Sequence, residues 1–362
     1  MFVAGYVIGL VFIYRVFSYN DTITHPSLTE NIAKIYNQNS ERKLNEQEIN
    51  WLKQGSVEED ATPRWINHFY EPNIGVGLGT SPSAKNWAQS PSLQAVYLDA
   101  IGLMGDQTWQ KAIESYAKGD NKSSFIALGH ILHLIEDMSV PAHTRLDLHP
   151  NGELYENWAR DNKGSDIYFE ISPIIFNNLS QFFDNLAFYS NRYFVSERTI
   201  KNQEIKQRIK KADVDIGGGK YKTYGFVKDL DNNNFRIVAI EEKSLTKKYV
   251  IDDNVNTDYF NLLGPKAVAY GAGVVKLFFE EAEKKKQEEE AKSWWQKTKS
   301  FFNKIKGNVF GSVLSVLNDE ANNDQVFPTE VGTPDAGGWR SRDSSRKKWR
   351  NWNYKWRKRK SR

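Results

Sequence analysis

The sequence predicts an all-α domain with one small β-hairpin insertion, followed by a C-terminal extension that is helical and then disordered and basic. Three observations predict it. Apolar residues recur at three- and four-residue spacing through most of the first 292 residues, the period of helices with one buried face. Residues 215 to 256 break that texture with GGG, DNNN and the run FRIVAI, as strands joined by tight turns would. Beyond residue 292 aromatic and basic residues take over. At 362 residues, 40% of them hydrophobic and 13% aromatic, the chain has enough apolar surface for a large core. One domain of about 250 residues plus appendages fits that length. There is no cysteine, which excludes a disulfide framework and any thiolate metal site.

In chain order, residues 2 to 14, FVAGYVIGLVFIY, are almost wholly apolar. That run is short for a bilayer span and suits the hydrophobic stretch of an export signal. Residues 1–18 therefore read as a signal peptide ending at Val16-Phe17-Ser18, or as an uncleaved anchor or buried first helix, because Arg15 follows the run instead of preceding it. The expected location is secreted or cell-surface associated, through bacterial-type export. Cleavage after Ser18 would start the mature chain at Tyr19, six residues before His25. The main domain then spans 19–280. Ser27 with Glu30 makes a capping box that predicts a helix opening just after His25. Residues 42 to 53 are amphipathic and end at Gly55, a helix-stop signal. Helical spacing recurs near 91–117, 122–139, 153–163 and 172–194, with Pro141 closing the second of these. It resumes over 258–292 after the insertion.

The extension divides into three. Residues 281–317 predict a charged helix, then an amphipathic one in which Trp295, Phe302, Ile305, Val309 and Val313 share a side and Lys297, Lys299 and Lys304 lie largely elsewhere. That stripe fits a helix lying in a membrane surface, or one docking back on the domain. Residues 318–338 read as a disordered linker rich in Asn, Asp, Gly and Pro. The tail 339–362 holds twelve Lys or Arg against one Asp, a net +11, so the chain's +4 leaves −7 for everything before it. Trp339, Trp349, Trp352, Tyr354 and Trp356 are interspersed there. Such a tail suits anionic lipid, a cell-wall polymer or nucleic acid, or stays solvated without a fixed partner. Nothing in the sequence predicts a protein partner.

Five of the six histidines fall beside carboxylates at bends and helix ends. His133 and Asp137 stand four apart on one helix, so both point from one face. His143 and His149 follow on the exit loop, Asp60 and His68 bracket the loop DATPRWINH, and His25 precedes a helix. Imidazole nitrogen and carboxylate oxygen are donors zinc accepts where no thiolate is offered, so the set predicts a multinuclear zinc site. His130, one turn before His133, either orients a ligand carboxylate or sits satisfied between packed helices.

Four stretches carry a resemblance: THPSLTENIAKIY (24–36), GSVEEDATPRWINHFYEP (55–72), LGHILHLIEDMSVPAH (128–143), and His149 through YENW (155–158). Across residues 19 to 280 the chain resembles the zinc-dependent phospholipase C family, whose helical fold the fungal single-strand-specific zinc nucleases share. The resemblance implies a first zinc on Asp60, His68, His133 and Asp137, with Gly55 to Asp60 reproducing the family's glycine-to-aspartate step and Glu58 and Glu59 around it. It implies a second on His143, His149 and a glutamate. Family spacing selects Glu153 and the YEN context selects Glu156, which is favoured because it would face inward from a helix. A third would use His25, a bridging Asp137 and the amine of an N-terminal tryptophan. No tryptophan precedes His25, so two or three ions are expected.

The same resemblance makes Asp60 the general base. It places Trp65 and Phe69 at a headgroup or base contact, with Arg64 close enough for a phosphate unless it is a plain surface arginine. Ala61 replaces the tyrosine that often follows the aspartate in choline-selective members. The implied activity is phosphodiester hydrolysis by a metal-bound hydroxide, with phospholipid as first substrate and a single-strand zinc nuclease as the alternative. An inactive surface-binding scaffold, using the amphipathic helix and the tail, is the reading from another class.

Overall fold

The computed structural model describes residues 23–61, 63–99, 105–149, 152–163, 167–243 and 246–320. The expected leader at 1–18, all but the start of the 318–338 linker, and the 339–362 tail lie outside the described residues. Residues up to Gln296 form one compact unit and those from Lys297 a second.

The first helix, α1 (Thr24–Asn39), already contains His25 instead of following it. The capping box expected at Ser27 does not form, because the Ser27 hydroxyl donates back to the carbonyl of Ile23 at 2.6 Å and Glu30 pairs with Lys34 and Lys53. A reciprocal box is found one helix later. Asn45 and Glu48 cap each other's backbone N–H at the start of α2 (Glu46–Glu59).

Gly55 does not end α2. It lies inside the helix where α2 crosses α6 (Asn121–Asp137), and a Cβ there would meet the Ile126 carbonyl oxygen at 2.0 Å. Gly129 answers from α6, where a Cβ would meet the Leu52 oxygen at 2.2 Å. The two backbones therefore touch directly at this crossing. Asp120 caps α6, and from Ala127 to Asp137 every α6 side chain is buried. It is the central element of the first unit.

The stretch expected as helical over 91–117 divides into α4 (Pro91–Asp99) and α5 (Trp109–Ala117), after the short α3 (Ala84–Gln89). Thr108 restarts the helix by capping Lys111. Next come α7 (Pro141–Thr144), α8 (Leu154–Lys163), α9 (Leu179–Tyr193) and α10 (Gln203–Arg208).

The insertion is larger than the expected hairpin. Strands β1 (Lys210–Asp215), β2 (Tyr221–Lys228), β3 (Asn234–Lys243) and β4 (Thr246–Val250) form an antiparallel meander in sequence order. The fold is therefore mainly helical with a four-stranded sheet, not purely all-α. Lysines on β1 and β4 hide the alternation that marks a strand, and on β4 Lys247 pairs across the sheet with Glu242 of β3. The sheet is pinned to α11 (Asp253–Glu320) by Arg236, which forks onto Asp258, and by the Tyr259 hydroxyl, which donates to the Ile237 carbonyl.

Helix α11 runs without a break through both the charged and the amphipathic segments expected of 281–317. Its early part is core. Gly271 lies against Ile32 of α1, and a Cβ on Gly273 would meet the Ile174 carbonyl at 1.8 Å. Farther along, Trp294 and Trp295, then Phe301 and Phe302, are exposed. The side chains of Ile305, Val309 and Val313 lie outside the described residues.

Candidate metal centre

Six segments converge at the end of α6. His133 and Asp137 project from α6 itself, both fully buried. Asp60 is the C-cap of α2, and a 3-10 turn (Arg64–Asn67) then presents His68 as its own C-cap. His25 comes from the first turn of α1, His143 from α7 and Glu156 from the first turn of α8. His149 sits on the loop between α7 and α8. That loop doubles back through Leu146, whose φ of 52° is left-handed and unfavourable for a side chain of this size. Arg145 holds the turn by donating to the carbonyls of Phe194 and Asn191 beyond and within α9, and the Asp147 N–H returns to Ala142 O at 2.9 Å.

All eight expected ligands meet in four overlapping donor groups, each with its donor atoms within 4.8 Å of one another. They are His25–His133–Asp137, Asp60–His68–His133, His68–Asp137–His143 and His143–His149–Glu156. Asp137 joins them. Its Oδ2 lies 3.0 Å from His68 Nδ1, 3.3 Å from His133 Nε2 and 3.5 Å from His143 Nδ1, and its Oδ1 lies 3.5 Å from His25 Nε2. Asp60 Oδ1 stands 3.6 Å from His68 Nδ1 and 3.5 Å from His133 Nε2. Glu156 reaches His143 Nε2 at 3.3 Å and His149 Nε2 at 3.6 Å.

Of the two glutamates left open by the sequence, Glu156 is the one placed among the imidazoles. Glu153 turns to the start of α8, where its carboxylate accepts the Glu156 N–H at 2.9 Å.

Outer contacts set the imidazoles. His133 Nδ1 lies 2.7 Å from the Ser56 carbonyl and His149 Nδ1 2.7 Å from that of Asp147, so each Nε2 faces the cluster. His25 Nδ1 lies 2.5 Å from Glu136 Oε2, and the other Glu136 oxygen accepts from the Thr29 hydroxyl at 2.8 Å. The His25 and His133 rings stack at 3.8 Å.

Charge is finely divided here. In the metal-free protein burial drives the His25 imidazole well below its ordinary value, with His133 adding to the effect, and burial pushes the Glu136 carboxyl well up. At His133 burial is outweighed by Asp60 and Asp137, which hold the imidazole up at about 10. Asp137 is kept well below the carboxylate range, against burial, by His143, His133 and His68. Asp137 and Glu156 raise His143 well above its usual value, again against burial.

The donors fit a divalent metal of borderline hardness. Both nitrogens of His143, His149 Nε2 and both oxygens of Glu156 are buried and make no hydrogen bond. Leaving such groups unsatisfied costs roughly 1–3 kcal/mol apiece, a cost a bound cation removes.

The expected substrate contacts fare differently. Arg64 is not on the surface: it is buried, with Nε 2.6 Å from Glu59 Oε2 and its guanidinium over Trp87. Phe69 is buried too, its ring stacked on His143 at 4.9 Å, so it walls the imidazoles instead of offering a face to a base or headgroup. Trp65 stays partly exposed on the 3-10 turn.

His130 is buried beside Glu59, with Nδ1 2.5 Å from Oε2, and touches none of the eight donors at hydrogen-bond range. Glu59 thus gathers His130, Arg64 and the Trp87 N–H behind Asp60. Glu136 escapes a reading of the sequence, although it directly precedes Asp137 as Glu59 precedes Asp60. A cavity of about 240 Å³ opens against His149, lined also by Asp147, Glu153, Glu197, Arg198 and Lys201.

No family model matches the chain, and no curated protein sequence does. Among solved structures, the alpha toxin from Clostridium absonum is similar with a TM-score of 0.38 and 11% identity over 74% of this chain. The match covers 66% of the toxin chain, just under two thirds of its length. A likeness that distant leaves the chemistry of the site to be argued from its residues.

Proposed function

We propose that the chain is a zinc-dependent phosphodiester hydrolase, phospholipase C-like in its substrate. The observation that carries the reading is the run of four donor groups sharing His133, His68, His143 and Asp137, because shared donors hold ions close enough to act on one phosphate. Nitrogen and carboxylate donors without sulfur suit zinc. When bound, zinc supplies a nucleophile from water at neutral pH and offsets the charge that builds on phosphate oxygens.

The chain's own residues do the rest. Asp60 and His149 keep 8% of their side chains exposed, more than the other ligands, and so mark the mouth of the cluster. In this reading Asp60 takes the proton of the attacking water, a role that suits a carboxylate at the solvent edge. Phe69 excludes water from the His143 side. The backbone carbonyls of Ser56 and Asp147 keep His133 and His149 in the tautomer that points Nε2 inward.

The test pairs zinc content with hydrolysis of bis(p-nitrophenyl) phosphate, phosphatidylcholine vesicles and single-stranded DNA. Two or three zinc ions per chain, lipid cleavage, and loss of both metal and activity in Asp137→Asn are the expected results. Preference for DNA would move the protein to the nuclease reading. Zinc without hydrolysis of any of the three would favour the scaffold, and no zinc would end the proposal.

A further inference from the structure

We infer that Glu136 is the positioning residue for His25, and that it sets the affinity of the ion which His25, His133 and Asp137 would share. The inference rests on the zinc reading above and assigns a role to a residue outside the ligand set.

Glu136 lies between His133 and Asp137 on α6 and is fully buried. A buried carboxylate is costly unless its oxygens are taken, and here both are taken by one face of α1. Oε2 meets His25 Nδ1 at 2.5 Å, and Oε1 accepts from the hydroxyl of Thr29, four residues on. Asp137, the next residue, stands 3.5 Å from the opposite nitrogen of the same ring. His25 is therefore clasped by two consecutive acids, one on each side of the imidazole.

That arrangement differs from the other ligand rings. His133 and His149 rest their second nitrogen on neutral backbone carbonyls. His143 turns both nitrogens to ligand carboxylates, Asp137 at 3.5 Å and Glu156 at 3.3 Å, and His68 Nε2 lies 3.8 Å from Glu59, so among the described ligands only His25 hydrogen-bonds a carboxylate outside the ligand set. A cation at Nε2 requires the ring proton on Nδ1, and a carboxylate accepts that proton better than an amide oxygen and makes Nε2 the stronger donor. The His25 group brings three protein donors, so the strength of each weighs heavily on it. Stacking on His133 fixes the plane of the ring, and Glu136 fixes its rotation and tautomer.

The experiment titrates zinc against a chromophoric chelator in wild type, Glu136→Gln, Glu136→Asp, His25→Ala and the double variant Glu136→Gln/His25→Ala. Glutamine keeps the shape and loses the carboxylate that would accept the ring proton once a cation sits at Nε2. Its expected effect is a 10- to 100-fold weakening of one ion per chain, about the range for an outer-shell partner. The remaining ions and the melting temperature of the metal-free protein should stay at wild-type values, and Glu136→Asp should recover part of the loss. His25→Ala should weaken the same ion, and the double variant should lose no more than His25→Ala alone. Unchanged affinity in Glu136→Gln, additive losses, or loss of every ion together would overturn the inference. Wild type without zinc would overturn the proposed function and this inference at once, whereas an unchanged Glu136→Gln beside a zinc-loaded wild type overturns this inference alone.

Discussion

Asp137 touches four imidazoles because it ends a helix whose last turn points straight into the cluster. Its charge, with that of Asp60, keeps His133 protonated in the metal-free protein, where the imidazole is held at about 10 instead of 6.5. Zinc needs that nitrogen bare, so loading at pH 7 should release a proton from His133 and another from His143. Calorimetry in buffers of different ionisation heat should read about two protons, and affinity should fall about tenfold per pH unit for each proton displaced. The metal-free fold responds oppositely. The raised His133 value contributes stability that is complete below 6.5 and fades as pH rises toward about 10. At this scale the eight donors were legible, because His and Asp four apart or beside a helix stop are rare enough to notice. Glu136 was not, since a glutamate on a buried helix face looks like any other glutamate until its partner on α1 is known. The burial of Arg64 and Phe69 was hidden for the same reason: adjacency to His68 and Asp60 gives nearness but not direction.

Helices α2 and α6 hold the site together through a contact without side chains. Gly55 and Gly129 are each a helical turn or so before a donor, Asp60 and His133 respectively, so the spacing of those donors is set by backbone touching backbone. Gly129→Ala would place a methyl 2.2 Å from the Leu52 oxygen, which cannot move aside as a side-chain end would. The expected cost is at least about 3 kcal/mol in urea unfolding, together with weaker zinc binding. A second-site change that shortened side chains elsewhere should not restore it. The positions of most helices were readable from apolar spacing, and their ends less so. Gly55 illustrates why: glycine marks both a helix stop and a close crossing, and only the neighbour tells which. The sheet was underestimated because cross-strand Lys–Glu pairs replaced the apolar alternation that announces a strand.

Across the whole molecule, charge and chemistry are separated along the chain. Everything before Trp339 carries −7, while the last 24 residues carry +11. On the proposed reading the tail localises and the domain hydrolyses. Deleting 339–362 should leave cleavage of a soluble phosphodiester within about twofold of the full chain and reduce co-sedimentation with anionic vesicles by about tenfold or more. Loss of activity on the soluble substrate would show that this division is wrong. The overall order of segments was visible in composition, but which helix closes the core was not, because α11 reads as several segments and is one. That closure has a consequence in time. Every candidate donor lies before residue 157, yet α1, which carries His25, is seated through Ile32 on Gly271 of α11. A chain emerging from the ribosome presents all its candidate donors more than a hundred residues before Gly271, the residue that seats the helix bearing the first of them. Until that residue arrives, the cluster stands open to whichever metal the surroundings supply.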